Sequence, residues 1–171
     1  NGSIWSNWEN VGQVLNEEYD IGEFHLSADG QTLYFAANRG GGSGGLDIWV
    51  TTKVDGEWSE PVNLGSVINS ANDENMPYLS SDENELWFTS QSKLGYPGPA
   101  VFRSEKLDNE QWGEPEEIVS NLSGEPSLDD DMNLYFVHVY FDEDFNKIEA
   151  DIYFAGRKQL LSDTFRDYSK F

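Results

Sequence analysis

The sequence contains no cysteine and little positive charge. Ten Lys and Arg stand against 32 Asp and Glu, for a formal net charge of -22. The missing cysteines exclude disulfides, cysteine-ligated zinc and thiol nucleophiles. The acidic balance repels nucleic-acid phosphates and anionic membranes, and it favours cations or basic protein patches. No apolar run approaches the roughly 20 residues that span a bilayer, so we expect a soluble chain without membrane insertion.

Aromatic residues are abundant, with six Trp, eight Tyr and ten Phe among 171 residues. Enough aromatic surface is present to fill a core, although the mean hydropathy is only -0.61. The length predicts one domain over residues 1–171.

An internal repeat organises this domain. Residues 5–26, WSNWENVGQVLNEEYDIGEFHL, align without a gap on residues 58–79, WSEPVNLGSVINSANDENMPYL. A third copy begins at Trp112 and is shorter in its first half. The predicted repeats are 5–57, 58–111 and 112–157, followed by a C-terminal tail, 158–171.

Each copy predicts about four short strands and no helix. Short apolar runs between turn residues are typical of strands buried on both faces. These runs are 33–37, 86–90 and 134–138. Other β-rich runs are 47–51, 100–104 and 151–155. A first strand should end at Leu26 or Leu79, and a more polar fourth strand is predicted at 11–15, 64–68 and 116–120. Four strands in a repeat of this length are typical of a β-propeller blade.

The repeat resembles the PD40 (WD40-like) repeat of TolB-like β-propellers. The resemblance rests on the pattern W-S-E-P…L-G…I-N…D-E…P-x-L-S-x-D…L-x-F-x-S and on N-R-G-G-G-S-G-G-L-D-I-W. It covers nearly the whole chain, but the third copy lacks the Asn…Asp-Glu stretch and the glycine-rich loop. The resemblance implies an all-β protein with three four-stranded propeller blades in this chain. It also implies a bacterial exported protein, periplasmic or extracellular.

Three blades do not close a ring, since propellers typically have four to eight. The chain could be a piece of a longer protein, or an open fragment whose ends are covered by its tail. Alternatively, two chains could form a six-bladed homodimer. In this family the strand after Trp5 is the outermost strand of the preceding blade, so a partner chain's first strand could complete each split blade. The tail at 158–171 could instead supply that strand within its own chain.

The candidate binding residues lie on loops that should meet on one face, together with two histidines on strands. They are Asp20, His25, Arg39, Asp73, Glu74, Tyr96, Glu125 and His138. Clustered carboxylates can bind cations or act as acid and base, and an exposed tyrosine can stack on a sugar. Each also has a structural interpretation. Asp20 and Asp73 recur at one repeat position and could form a turn, Arg39 could pair with an acidic residue, and either histidine could simply be packed.

A candidate calcium loop lies in the third repeat. Asp142, Asp144 and Asn146 form D-x-D-x-N, but Lys147 and Tyr153 stand where an EF-hand needs Gly and Glu, so an EF-hand is excluded. A looser calcium loop and a solvated acidic hairpin tip both fit the pattern.

The function implied by the resemblance is a non-catalytic binding or scaffold module that recognises a protein or glycan. The alternatives are a propeller enzyme, a glycan lyase or hydrolase using carboxylates on the loop face, and a calcium-dependent glycan-binding module. The sequence contains neither G-x-S-x-G nor H-E-x-x-H.

Overall fold

The computed structural model describes residues 4, 8–16, 20–142, 144 and 146–158. Trp5 at the start of the first repeat, the loop residues 17–19 and the tail from 159 onward lie outside the described residues. The described part of the chain is all-β, with no helix and with three antiparallel sheets, as the sequence predicts.

The strands follow one another at short intervals along the chain. They are β1 (Ile21–Leu26), β2 (Thr32–Ala37), β3 (Asp47–Val54), β4 (Glu57–Trp58), β5 (Val62–Asn63), β6 (Asn75–Leu79), β7 (Glu85–Gln91), β8 (Pro99–Glu105), β9 (Glu116–Val119), β10 (Ser123–Leu128), β11 (Leu134–Phe141) and β12 (Lys147–Ala155). The first sheet runs β1-β2-β3, with β4 and β5 both paired to β3. The second runs β6-β7-β8-β9, and the third runs β10-β11-β12.

The strand register is the same in all three sheets. Phe35 faces Trp49 in the first sheet, Phe88 faces Phe102 in the second, and Phe136 faces Tyr153 in the third. These pairs occupy the same position of the sequence repeat. The repeated sequence therefore folds three times into the same antiparallel arrangement.

Tight turns join the first two strands of each sheet at the predicted positions. The Ser27 hydroxyl donates to the Asp29 carboxylate at 2.6 Å, and Ser80 donates to Asp82 in the same way at 2.6 Å. In the third sheet Asp129 stands at the serine position and its carboxylate accepts the Asn133 amide hydrogen at 2.9 Å. Side chains that bond to their own turn explain why these residues recur.

The predicted fourth strand is correct only in the second sheet, where β9 covers Glu116–Val119. In the first sheet the strand is Val62–Asn63, and the predicted segment 64–68 turns away from the sheet. The Asn63 carboxamide oxygen accepts hydrogen bonds from the Gly65 amide at 2.8 Å and from the Asn69 side chain at 2.9 Å. These bonds close a turn in place of a strand.

Residues 11–15 also contain a turn rather than the predicted strand. The Asn10 carboxamide oxygen accepts from the Gly12 amide at 2.8 Å and from the Asn16 side chain at 3.1 Å. This is the same turn as at Asn63, because these residues recur at the same repeat positions. The apolar residues of this segment therefore belong to a turn and its packing contacts.

The core consists of two clusters between successive sheets and a third on the opposite face of the first sheet. In this third cluster the buried side chains are Leu15, Phe35, Ala37 and Trp49. Between the first and second sheets the buried side chains are Tyr34, Ile48, Ile68, Leu79, Leu86, Phe88, Ala100 and Phe102. Between the second and third they are Trp87, Val101, Leu128 and Leu134. The second sheet is thus covered on both faces, whereas every residue of β12 in the third sheet is exposed.

Candidate binding cleft

A polar cleft of about 510 Å³ opens where the loop into β6 meets the end of β7 and the start of β8. It is lined by Ala71, Asn72, Asp73, Asn75, Met76, Thr89, Ser90, Gln91 and Pro99. The two kinds of loop that meet here are those that the sequence places on one face. The volume lies within the usual range for small-molecule sites.

Asp73 joins this cleft to the glycine-rich loop of the first sheet. Its carboxylate accepts the Leu46 amide hydrogen at 2.8 Å, and the neighbouring Glu74 amide donates to the Leu46 carbonyl at 2.7 Å. A Cβ on Gly44 would meet the Asn72 backbone, and one on Gly45 would meet the Asp73 carboxylate. The glycines there allow two loops to approach closely.

Glu74 is a structural carboxylate beneath the cleft. It is 1% exposed. It accepts hydrogen bonds from the Ser70 amide at 2.7 Å, from the Ser70 hydroxyl at 2.6 Å and from the Ser90 hydroxyl at 2.7 Å. Both oxygens are engaged, as a buried carboxylate requires. Glu74 therefore holds the loop onto β7, and a ligand in the cleft would not reach it.

A β-bulge shapes the inner wall of the cleft. The register of β6 against β7 shifts by one residue between Asn75 and Tyr78, and Met76 adopts a positive φ of 52°. The other two first strands shift at the same repeat position. Asn75 therefore stands where the neighbouring strands have Gly22 and Gly124. Its side-chain oxygen lies against Gly22 without a hydrogen-bond partner.

Besides the buried Asn75 oxygen, three side-chain oxygens of the cleft lack donors within the described part of the chain. The second carboxylate oxygen of Asp73 accepts no hydrogen bond there. Asn72 and Gln91 use their side-chain NH2 groups, bonding Ser70 at 3.4 Å and the Gly98 carbonyl at 3.0 Å, but their oxygens accept nothing. The cleft is therefore rich in acceptors. It fits a ligand that donates hydrogen bonds or carries positive charge.

Asp20 and Arg39 lie away from this cleft and have internal partners. The Asp20 amide donates to the Asn38 side-chain oxygen at 2.8 Å, while the Asn38 NH2 group donates back to the Asp20 carboxylate at 3.3 Å. The Arg39 guanidinium donates to the Glu60 carboxylate at 2.6 Å and lies over the Trp49 ring. Its side chain is only 8% exposed. The predicted acidic partner of Arg39 is therefore Glu60.

The two histidines each pack on a tyrosine ring. His25 lies 4.5 Å from the Tyr78 ring, and burial lowers the pKa of its imidazole. His138 lies 4.5 Å from the Tyr140 ring, and its buried Nδ1 has no hydrogen-bond partner among the residues that the structure describes. Within the described ranges, no three His, Asp or Glu side chains form a group that could hold a metal ion.

Tyr96 and Glu125 are exposed at the loop end of the molecule. Tyr96 is on the loop between β7 and β8, which Glu117 fixes by accepting from the Ser92 hydroxyl and the Lys93 amide, both at 2.8 Å. Burial raises the pKa of Glu117, but hydrogen bonds from Ser120, Ser92 and two amides outweigh it and bring the pKa below its ordinary value. Glu125 lies in β10 rather than on the predicted loop, because the strand begins at Ser123 and continues through a bulge. Its amide approaches the Met76 sulfur at 3.2 Å.

The candidate calcium residues lie at the tip of the β11–β12 hairpin. Asp142 accepts the Asp144 amide at 2.9 Å and the Asn146 amide at 2.8 Å, and all three residues are exposed. Hydrogen bonds from Asn146 lower the pKa of the Asp142 carboxyl. This geometry is that of an acidic hairpin tip, and calcium binding there stays a prediction.

No family model matches this chain, and a search of the curated proteins also finds no match. Among the described residues, no helix has the length and apolar character needed to cross a membrane.

Sequence reasoning identified Asp73 and Glu74 but missed most of the cleft. Asn72, Asn75, Thr89 and Gln91 were not singled out as binding residues. One signal was present for Asn75, because glycine occupies the equivalent positions in both neighbouring repeats. A polar side chain that replaces glycine in only one copy of a repeat is a departure that the repeat itself does not explain.

Proposed function

We propose that this chain is a binding or scaffold module built from three β-propeller blades, and that it recognises a protein or glycan partner at the cleft beside Asp73. The blade interpretation is supported by the threefold recurrence of strand register and bulge. We include in this proposal that the repeats are of the PD40 type and that the protein is located outside the bacterial cytoplasm.

The single observation that carries the binding role is the acceptor-rich cleft. Asp73, Asn72 and Gln91 present oxygens that no described group satisfies. Lysine or arginine side chains of a protein and the hydroxyls of a glycan both donate hydrogen bonds. The net charge of -22 favours a basic partner through long-range attraction.

Titration calorimetry at low and moderate salt tests this proposal. The two probes are a lysine-rich peptide and neutral glucose oligosaccharides. We expect Asp73→Asn to weaken peptide binding about tenfold, because a hydrogen bond to a charged group contributes on the order of 1.5–3 kcal/mol. The substitution keeps an acceptor for the Leu46 amide. Oligosaccharide binding should instead respond to Gln91→Leu and should depend little on salt.

Asp130→Asn is the matched control, because it removes one negative charge from an exposed turn of the third sheet. Equal losses of peptide affinity in both variants would show that the peptide responds to net charge and not to the cleft. Failure of both probes to bind the unaltered protein would overturn the proposed ligand class.

A further inference from the structure

Among the described residues, one end of the three stacked sheets has an uncovered apolar face and the other end has one that is covered only in part. We call the side of each sheet that is turned toward the next sheet along the chain its forward face, and the opposite side its rear face. The forward faces of the first two sheets carry Ile48 and Val101, both 0% exposed. The equivalent residue of the third sheet, Ile152, is 78% exposed. Only the covering sheet distinguishes these positions, since the pairing register is the same.

The forward face of the third sheet is apolar along most of its length. Along β12 the side chains on this face are Ile148, Ala150, Ile152 and Phe154, and the charged residues alternate with them. On β11, Tyr135 and Val137 face Phe154 and Ile152. Lys147, opposite Phe141, is the one charged residue that the register of β11 and β12 places on this face, which is notable in a chain of net charge -22. Contiguous exposed apolar surface of this kind marks an interaction site.

The rear face of the first sheet is open in part. Leu15 already covers Phe35 and Trp49 there, as its repeat equivalent Ile68 packs within the contact between the first and second sheets. Leu79 and Leu128, on the rear faces of the second and third sheets, are 4% and 9% exposed. Leu26 is their equivalent and is 45% exposed, and its neighbour Phe24 is 68% exposed. The chain therefore has both halves of the sheet-to-sheet contact that it already forms twice internally.

The third sheet also lacks an outer strand among the described residues. In the first sheet β5 pairs with β3, so that Trp49 faces Asn63 and Val50 faces Val62. In the third sheet no described strand pairs with the outer edge of β12. A long unpaired edge strand is a template for another strand.

A segment that matches this missing strand precedes the first sheet. Glu9 and Asn10 occupy the repeat positions of Val62 and Asn63, and they are exposed and pair with no described strand. The turn that follows β5 is already formed after Asn10, through the Gly12 amide and the Asn16 side chain. The segment is therefore shaped for a strand position that its own first sheet does not offer.

We propose that two copies of this chain bind head to tail, so that the forward face of the third sheet of one copy packs on the rear face of the first sheet of the other. Residues 9–10 of each copy then pair with β12 of its partner. The internal contacts set the register, with Asn10 facing Tyr153 and Glu9 facing Phe154. Two identical junctions related by a two-fold axis close the assembly.

This contact does not depend on what the cleft beside Asp73 binds, although a closed ring of six sheets does rest on the proposed blade geometry. Light scattering after size exclusion measures the mass of the assembly in solution. Moderate salt is used because it screens the repulsion between acidic copies. We expect twice the chain mass of 19.3 kDa. Ile152→Glu should halve the measured mass, because it places a charge in the apolar contact. Val54→Glu is the control, since Val54 is also an exposed aliphatic residue, 59% exposed at the end of β3.

Disulfide cross-linking tests the register between residues 9–10 and β12 of the partner. The native sequence contains no cysteine, so only the introduced cysteines can form a disulfide. Glu9→Cys and Phe154→Cys are prepared as separate single variants, mixed and oxidised. Directly opposed residues of antiparallel strands lie about 4.5–5.5 Å apart at Cα, which suits a disulfide. We expect a covalent dimer that contains one copy of each variant, whereas Glu9→Cys mixed with Asp131→Cys should give none. A monomeric unaltered protein, or equal cross-linking of both mixtures, overturns the proposal.

Discussion

The second and third sheets contain the same aromatic pair in different surroundings. Phe88 and Phe102 stack at 5.7 Å in the second sheet, and Phe136 and Tyr153 stack at the same 5.7 Å in the third. Phe102 is 1% exposed, while Tyr153 is 37% exposed. Both pairs lie on the face turned toward the preceding sheet, but β9 pairs beside Phe102, whereas no described strand pairs beside Tyr153. Strand pairing is therefore a property of each repeat, while burial depends on the strands and sheets around it. The comparison teaches that one repeat sequence can serve as a core or as a surface.

The largest expected effect concerns the phenylalanine of each pair. Phe88→Ala should lower the free energy of unfolding by about 3–5 kcal/mol, because it opens a cavity between two sheets. Phe136→Ala should cost less than half as much, since its surroundings are partly solvent. Urea unfolding of both variants measures the difference. Equal losses would show that the third sheet is as well covered as the second.

A smaller effect is expected at the ion pair that ties the third sheet to the second. Arg157, which follows β12, donates to the buried carboxylate of Glu85 at 2.7 and 3.0 Å. The hydrogen bond to Glu85 raises the pKa of this guanidinium. Arg157→Gln should lower the free energy of unfolding by about 1–3 kcal/mol, because the carboxylate loses its strongest donor. Thermal unfolding of the variant and the unaltered protein measures this loss of stability. Lys158→Gln, with the same charge change at an exposed neighbour, should be nearly neutral, and a similar loss there would refute the role of the ion pair.

The smallest effect is a pH dependence confined to the second sheet. The native pKa of Glu117 lies below the ordinary value of 4.5, so its hydrogen bonds stabilise the fold above that pH and are lost as the pH falls through the native pKa. Glu117→Gln should flatten this acid loss by less than about 1 kcal/mol, because the group is largely solvated.

Unfolding followed from pH 7 to acid compares this variant with Glu114→Gln, an exposed neighbour without a side-chain bond among the described contacts. If the loss of stability toward acid pH is unchanged in Glu117→Gln, Glu117 is not the source of this pH dependence.

The sequence predicted the inner three strands of the first two repeats, two strands of the third, and the tight turns at Ser27 and Ser80, because these depend on local alternation and on side chains that bond their own backbone. It also predicted which loops meet beside Asp73. It did not predict the turn at Asn63, since the apolar spacing of residues 64–68 fits a strand equally well. Nor did it separate Asp73 from Glu74, although only one of these adjacent carboxylates faces the cleft.

The sequence by itself determined a repeated all-β chain, its strand register and its acidic charge, because period, turn chemistry and composition are local properties. The tertiary structure decided which copies of the repeat are buried. Ile48 and Ile152 belong to the same pattern, yet only the first lies beneath another sheet. It also decided that Gly44 and Gly45 admit a second loop and that Asn75 stands against Gly22, since close approach between distant segments leaves no signal in either segment alone.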